Sequence, residues 1–263
     1  ELARREGRLA AIGKAKADLE AEYAGKARAK AEQDAAKGGV DEAEQVAAGE
    51  RAALTSVVPA KAQRSFTDPD ARIMKTTDGS FHYCYNAQTV VDEGSQVILS
   101  TKLVASGADS PELPMALQDL ADSLATAGIE KWPQTLLADA GYFSESNVAA
   151  VTEAGIDPLI ATGRQKHGEK SQAAPRGPIP KGLTPKQRMA RKLHTKKGRA
   201  AYARRKAIVE PVFGQMKVAQ DAGKLRLRGL DNAQGEWTLQ AFCHNVRKLR
   251  NSGFHWVSAE VFS

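Results

Sequence analysis

The chain has 263 residues, 42% of them hydrophobic, with 38 Lys and Arg against 31 Asp and Glu, a net charge of +7 and a pI near 9.4. That composition allows a packed core, and a basic balance favours polyanionic partners, nucleic acid ahead of an anionic membrane. No apolar run approaches the roughly 20 residues that span a bilayer, the N-terminal pattern is not that of a signal peptide, and two cysteines, Cys84 and Cys243, support neither a disulfide framework nor a metal knot.

Residues 1–36 are rich in Ala, Glu, Lys and Arg without proline. Leu2, Leu9 and Tyr23 share one heptad position, interrupted by Lys16. Ile12 and Leu19 fill d-type sites, and Arg5 and Lys26 occupy the other two. Such a thin seam predicts a long helix packed on another helix, as one arm of a helical hairpin, ahead of a dimeric coiled coil. Lys37-Gly38-Gly39 ends it, and 38–66 reads as a polar connector with some helix. The chain begins inside this pattern without a cap, as a fragment of something longer would.

From residue 81 the period changes. FHYCYNAQTVV (81–91) and QVILSTKLVA (96–105), separated by Asp92-Glu93-Gly94-Ser95, predict a β-hairpin. Asp109 caps a helix with Pro111 at its first position and Leu113, Leu117, Leu120 and Leu124 on its apolar face. TLLAD (135–139) is a short buried strand, SESNVAAVTEAG (144–155) a capped helix, and DPLIA (157–161) another strand. Two amphipathic helices close the chain, over 207–220 with Pro211 inside and over 235–250. The alternation predicts an α/β sheet with helices packed on it. Between 164 and 206 stand 15 Lys and Arg and one acid, Glu169. That stretch should be loosely structured alone and touch DNA phosphates, the alternative being a solvated loop.

Asp139 ends a buried strand and precedes Ala-Gly-Tyr, which suits either a turn or a catalytic acid at a strand tip. The ordered blocks FTDPDARIMKTTDG (66–79), YNAQTVVD (85–92), LLADAGYFSESN (136–147), RQKHGEK (164–170), PRGPIPKG (175–182), YARRKAIVEPVFGQMK (202–217), LRGL (227–230) and GEWTLQAFCHNVRKL (235–249) resemble transposases of bacterial insertion sequences. The class resembled is the DDE class with an RNase H-like fold, in the branch carrying a helical insertion before the TDPD block. The resemblance implies residues 1–60 as that insertion and its linker. It makes 61–263 an RNase H-like catalytic core, a mixed sheet with flanking helices, carrying the basic insert 164–206.

In that family three acids hold two divalent metals, Mg²⁺ or Mn²⁺. Asp139 matches the second acid and Glu210 the third, so the two carboxylates are expected at one sheet edge. Lys217, two turns beyond Glu210, shares its face. The family's Tyr, Arg, Glu and Lys signature maps onto Tyr202, Arg205, Glu210 and Lys217. The Arg-to-Glu interval is one residue long, and Lys206 is the alternative to Arg205. The first acid is expected upstream of the helical insertion, before residue 1. Asp68 and Asp70 are the alternative, but the proline between them makes SFTDPDAR read as a turn. A segment with two of three acids is expected to be inactive by itself. Hard oxygen donors suit Mg²⁺, and a two-metal pair suits in-line displacement at phosphorus.

The implied partners are DNA, both element ends and target, and a second copy of the chain, in a bacterial cytoplasm at the nucleoid. DNA contacts are expected from Arg188, Arg191, Lys192, Lys196, Lys197 and Arg199 beside Tyr202, Arg205, Lys206 and Lys217. A second reading is a truncated remnant that binds nucleic acid without chemistry, and a third is a nuclease of the same fold. Glu210 and Lys217 could instead be ordinary solvated helix charges. His82, His167, His194 and His244 show no ligand spacing, and His244-Asn245, Trp237 and Phe242 read as packing residues.

Overall fold

The computed structural model describes residues 2–76, 78–163, 173–180 and 182–253. The chain divides into two compact units, residues 1–84 and 85–263.

In the first unit α1 (Leu2–Lys37) packs along α2 (Glu42–Leu54) as a helical hairpin. Gly39 turns the chain at φ 75°, and Asp41 caps α2 by accepting a 2.8 Å bond from the Glu44 N–H. The helices approach so closely at Gly49 that an added Cβ would lie 2.6 Å from Glu32 Oε1. Beyond the hairpin, β1 (Arg72–Lys75) pairs antiparallel with β2 (Phe81–Cys84). FHYC therefore belongs to a different ladder from the residues that follow it, because the Gly79 turn (φ 86°) folds it back onto RIMK.

Glu22 ties the unit together. It accepts from Arg64 at 3.0 Å, Arg72 at 2.9 Å and Lys26 at 2.6 Å. Partial burial pushes its carboxyl upward, but the Lys26 hydrogen bond and the charges of Arg72, Lys26 and Arg64 outweigh that and hold it below the ordinary range.

In the second unit β3 (Asn86–Val91) pairs antiparallel with β4 (Ile98–Val104), with a bulge at Val90/Val91. A 3₁₀ turn, Ser110–Glu112, leads into α3 (Leu113–Thr126), whose Leu113, Leu117, Leu120 and Leu124 are all buried. Parallel strands β5 (Thr135–Ala138) and β6 (Asp157–Ile160) flank α4 (Glu145–Glu153). Then come α5 (Pro185–His194), α6 (Lys196–Ala219) and α7 (Leu230–Asn251). The α/β class holds. The expected sheet takes the form of two two-stranded ladders in this unit, one antiparallel and one parallel.

One core joins β4, α6 and α7 through Ile98, Leu103, Val212, Met216 and Trp237. A second joins α3, α4, β5 and β6 through Leu117, Ala138, Val151 and Ile160. Helix α7 also supplies hydrogen bonds to β4. Asn245 holds both backbone groups of Ile98 at 2.8 Å, and Gln234 accepts from the Leu103 N–H at 2.6 Å. Side-chain amides thus replace a missing strand. Buried His244 and Trp237 are packing residues as expected, whereas Phe242 is 62% exposed.

Where it is described, the basic stretch is part irregular chain and part helix: 173–180 and 182–184 form no helix or strand, as expected of PRGPIPKG, whereas 185–194 and 196–206 are helical. Residues 164–172 and Lys181, with the RQKHGEK block and His167, lie outside the described residues. Thr184 and Gln187 form a capping box, Pro185 opens the helix, and Met189 is 4% exposed. Arg191 donates to the carbonyls of Arg176, Gly177 and Pro178 at 3.0–3.1 Å, and Lys192 pairs with the Asp157 carboxylate. These anchors outweigh the self-repulsion that the charge density suggested.

Candidate active site

Asp139 follows the last residue of β5 in extended geometry and caps the 3₁₀ turn Ala140–Tyr142, its Oδ1 accepting the Gly141 N–H at 2.9 Å. It is a turn residue and a strand-tip acid at once. Its side chain is 46% exposed, so a ligand can reach it.

The turn is gripped by side chains from three other segments. Asp109, expected as a helix cap, makes no capping bond. Its Oδ1 accepts instead from Asn86 Nδ2 at 2.8 Å and Gln88 Nε2 at 3.1 Å. Gln88, 4% exposed, turns its Oε1 to the Tyr142 hydroxyl. Asn147, 3% exposed, donates to the Tyr142 carbonyl at 2.8 Å and the Ser110 carbonyl at 2.7 Å. A Cβ on Gly141 would stand 2.5 Å from Asp109 Oδ2 and 3.1 Å from Asp139 Oδ1, so the two carboxylates face one small volume across Gly141, and a side chain there would push the Asp109 carboxylate or the turn aside. Burial first, then the charges of Asp109, Asp139 and Glu112, drive the Tyr142 hydroxyl far above its ordinary pKa, so it stays protonated and can donate to Gln88.

Sequence reasoning passed over Asn86, Gln88, Asp109, Gly141 and Tyr142 as site residues. Most of them stood inside the quoted blocks, and polar residues in an apolar strand and helix start were the available signal.

Helix α6 packs against β5. Arg205 Nη1 lies 4.0 Å from Asp139 Oδ2. The guanidinium stacks on the Tyr202 ring, 5.6 Å from its centroid, and its Nε is buried with no hydrogen-bond partner among the described residues. The Tyr202 hydroxyl is raised by burial above all, with Arg205 pulling it down and Asp139 pushing it up. Two members of the proposed signature, Tyr202 and Arg205, are thus gathered at Asp139.

Glu210 is placed differently. Five residues at 3.6 per turn set it about 140° around α6 from Arg205, and it is exposed, as are Lys206 and Lys217. Lys206, one turn before Glu210, shares its face, and Lys217 Nζ sits 6.0 Å from the Phe213 ring centre. Pro211, which cannot donate to the Ala207 carbonyl, follows Glu210 at once, and Gln96 Nε2 takes that carbonyl at 2.9 Å.

The remaining cations fall into two groups. Arg188, Arg191, Lys192 and Arg199 make bonds within the fold, Arg188 to the Leu183 carbonyl at 3.1 Å and Arg199 to the His194 carbonyl at 3.2 Å. Lys196 and Lys197 are exposed. In the first unit Asp68 is buried, its backbone N–H held by Ser65 Oγ at 3.1 Å, and Asp70 is exposed; both lie in the turn before β1.

The donor chemistry at Asp139, an accessible carboxylate, suits a hard divalent cation. A group of three or more acids, histidines or cysteines able to close around one is not assembled among the described residues. The set is therefore incomplete for a two-ion centre.

The family model described as "Transposase DDE domain" matches residues 59–246. Neither the curated proteins nor the solved structures contain a match.

Proposed function

The chain belongs to the DDE-domain transposase family, and from that premise we propose that it is the catalytic portion of a bacterial insertion-sequence transposase, binding DNA and cutting and joining its strands. The observation that carries this is the Asp139 turn, with an accessible carboxylate beside Arg205 and Tyr202 and with exposed Lys196, Lys197 and Lys206 on the same helix.

The proposed fold family is RNase H-like, with residues 1–60 as a helical insertion and 61–263 as the core. The proposed cofactor is a pair of Mg²⁺ or Mn²⁺ ions, with Asp139 and Glu210 as ligands and further oxygen donors needed to complete the set. The proposed assembly is a homodimer on DNA, in the cytoplasm. Among the described residues no helix is long and apolar enough to cross a membrane.

Salt dependence of DNA binding tests the reading. Each phosphate neutralised contributes about 0.9 to the slope of log K against log salt. Replacing Lys196, Lys197 and Lys206 together by Gln should flatten the slope by roughly two to three units and weaken binding alike for element-end and random DNA. Replacing Arg191 and Lys192 by Gln should instead lower the melting temperature, since those side chains hold the fold. An unchanged slope in the triple variant would take the DNA path away from α6.

A further inference from the structure

We propose that Asp109 is a positioning residue for Asp139, fixing the turn on which that carboxylate stands through hydrogen bonds relayed by Gln88 and Tyr142. The proposal rests on Asp139 being the reacting carboxylate for its use, but not for its geometry.

Asp109 precedes Ser110-Pro111-Glu112, where an aspartate would ordinarily cap the helix. Its side chain turns away from that role and inward. Oδ1 accepts two amides, from Asn86 and Gln88 on β3, at 2.8 and 3.1 Å. A primary amide has two distinct ends, so committing Gln88 Nε2 to Asp109 commits its Oε1 to the opposite side. That oxygen receives the Tyr142 hydroxyl. Gln88 is buried, so its amide has no water to turn toward, and its orientation depends on Asp109.

The second oxygen of Asp109 meets the same turn from the other side, 2.5 Å from where a Gly141 Cβ would be. Gly141 in turn gives its N–H to Asp139 Oδ1. Asp109 thus touches the turn twice, through the relay at Tyr142 and directly at Gly141, and both contacts bear on the residue that orients the Asp139 carboxylate. Asn147 fastens Ser110, the neighbour of Asp109, to Tyr142 and completes the bracket. The role needs an acceptor at 109 and not its charge, since both donors are neutral amides.

The test is an amide NMR spectrum of the whole chain in the wild type, Asp109→Ala, Asp109→Asn and Tyr142→Phe. In Asp109→Ala the Gly141 amide should shift and exchange about tenfold faster, while Ile98 and Ala233 stay as they were. Asp109→Asn, which keeps an acceptor for both amides, should restore the wild-type signal. If Asp109→Ala fails to fold, Tyr142→Phe, which deletes only the hydroxyl, should show the same local change. An undisturbed Gly141 amide in the folded variants, or Asp109→Asn as disturbed as Asp109→Ala, overturns the proposal.

Added Mn²⁺ gives a separate arm. It should broaden the 139–142 amides in the wild type, with a midpoint raised about tenfold in Asp109→Ala, as for loss of a group that supports a metal ligand. Absence of wild-type broadening would defeat the cation reading of Asp139, while the Gly141 signal would still decide the role of Asp109.

Discussion

The Asp139 turn and the Glu210 face of α6 carry the two acids proposed as metal ligands, and they are built in opposite ways. Asp139 caps a turn closed around a glycine, and the Tyr142 end of that turn is bonded to Gln88 on β3 and to Asn147 on α4. Glu210 stands exposed on a helix, beside a proline whose missing bond is met by a glutamine from the β3–β4 turn. An acid held on a rigid element can be aimed in advance; an acid on an exposed face depends on what binds there. The geometry preorganises one half of the proposed centre and leaves the other half to a ligand.

The largest effect separating the two regions should come from Gly141→Ala. The new methyl has nowhere to go between Asp109 and Asp139, so the turn or the Asp109 carboxylate must move. A loss of about 2–3 kcal/mol is expected, in the range for forcing a carbon into a packed site. Glu210→Ala should stay within about 0.5 kcal/mol of wild type, as exposed substitutions do. Urea unfolding of both variants measures the difference. Equal losses would mean that the two regions are not built differently.

Gln96→Ala strikes the other side of the comparison. Gln96 adopts φ 57° and serves three partners: its Nε2 reaches the Ala207 carbonyl at 2.9 Å, its carbonyl contacts His244 Nε2 at 3.0 Å, and its Oε1 receives Lys248 Nζ at 2.7 Å. Truncation leaves the Ala207 carbonyl and the Lys248 ammonium without these bonds and should cost about 1–2 kcal/mol. Gln96→Gly separates strain from bonding, because it relieves the positive φ but makes no side-chain bond. A wild-type melting temperature in Gln96→Ala would show that water serves the Pro211 gap equally well.

Much of this architecture was legible in the sequence, and the omissions have physical causes. The leucines of α3, the caps at Ser144 and Gly155 and the long α1 are local patterns, and each was readable as such. The assignment of FHYC to its own hairpin depends on pairing with RIMK across the Gly79 turn, which a run of apolar residues does not reveal. The role of Asp109 depends on Asn86 and Gln88, more than 20 residues away, so its neighbours in sequence suggested only a cap. In the basic stretch only the helical part, from 185 onward, departs from the expected loose chain, and Thr184-x-x-Gln187, a capping box, is its signal in the sequence. Phe242 was misjudged because a helix face can be apolar and still exposed.

The smallest effect concerns the turn that delivers Gln96. Asp92 accepts from the Ser95 hydroxyl at 2.6 Å and the Ser95 N–H at 2.7 Å, and its carbonyl receives the Gln96 N–H at 3.0 Å. The Ser95 hydroxyl, then the Ser95 N–H, hold its carboxyl below the ordinary range, against a smaller upward push from burial. A carboxyl depressed in the folded state binds its proton more readily when unfolded, so its contribution is present above the unfolded value and is lost as pH falls through the folded one. Stability from this turn should therefore be constant near neutrality and decline below about pH 4, the ordinary aspartate value. In Asp92→Asn the amide keeps an acceptor but not the charge. The variant should melt slightly below wild type at pH 7, and the gap should narrow at pH 3. Melting curves at the two pH values read this directly, and a gap of constant size would show that the Asp92 charge does not stabilise the turn that sets Gln96 against α6.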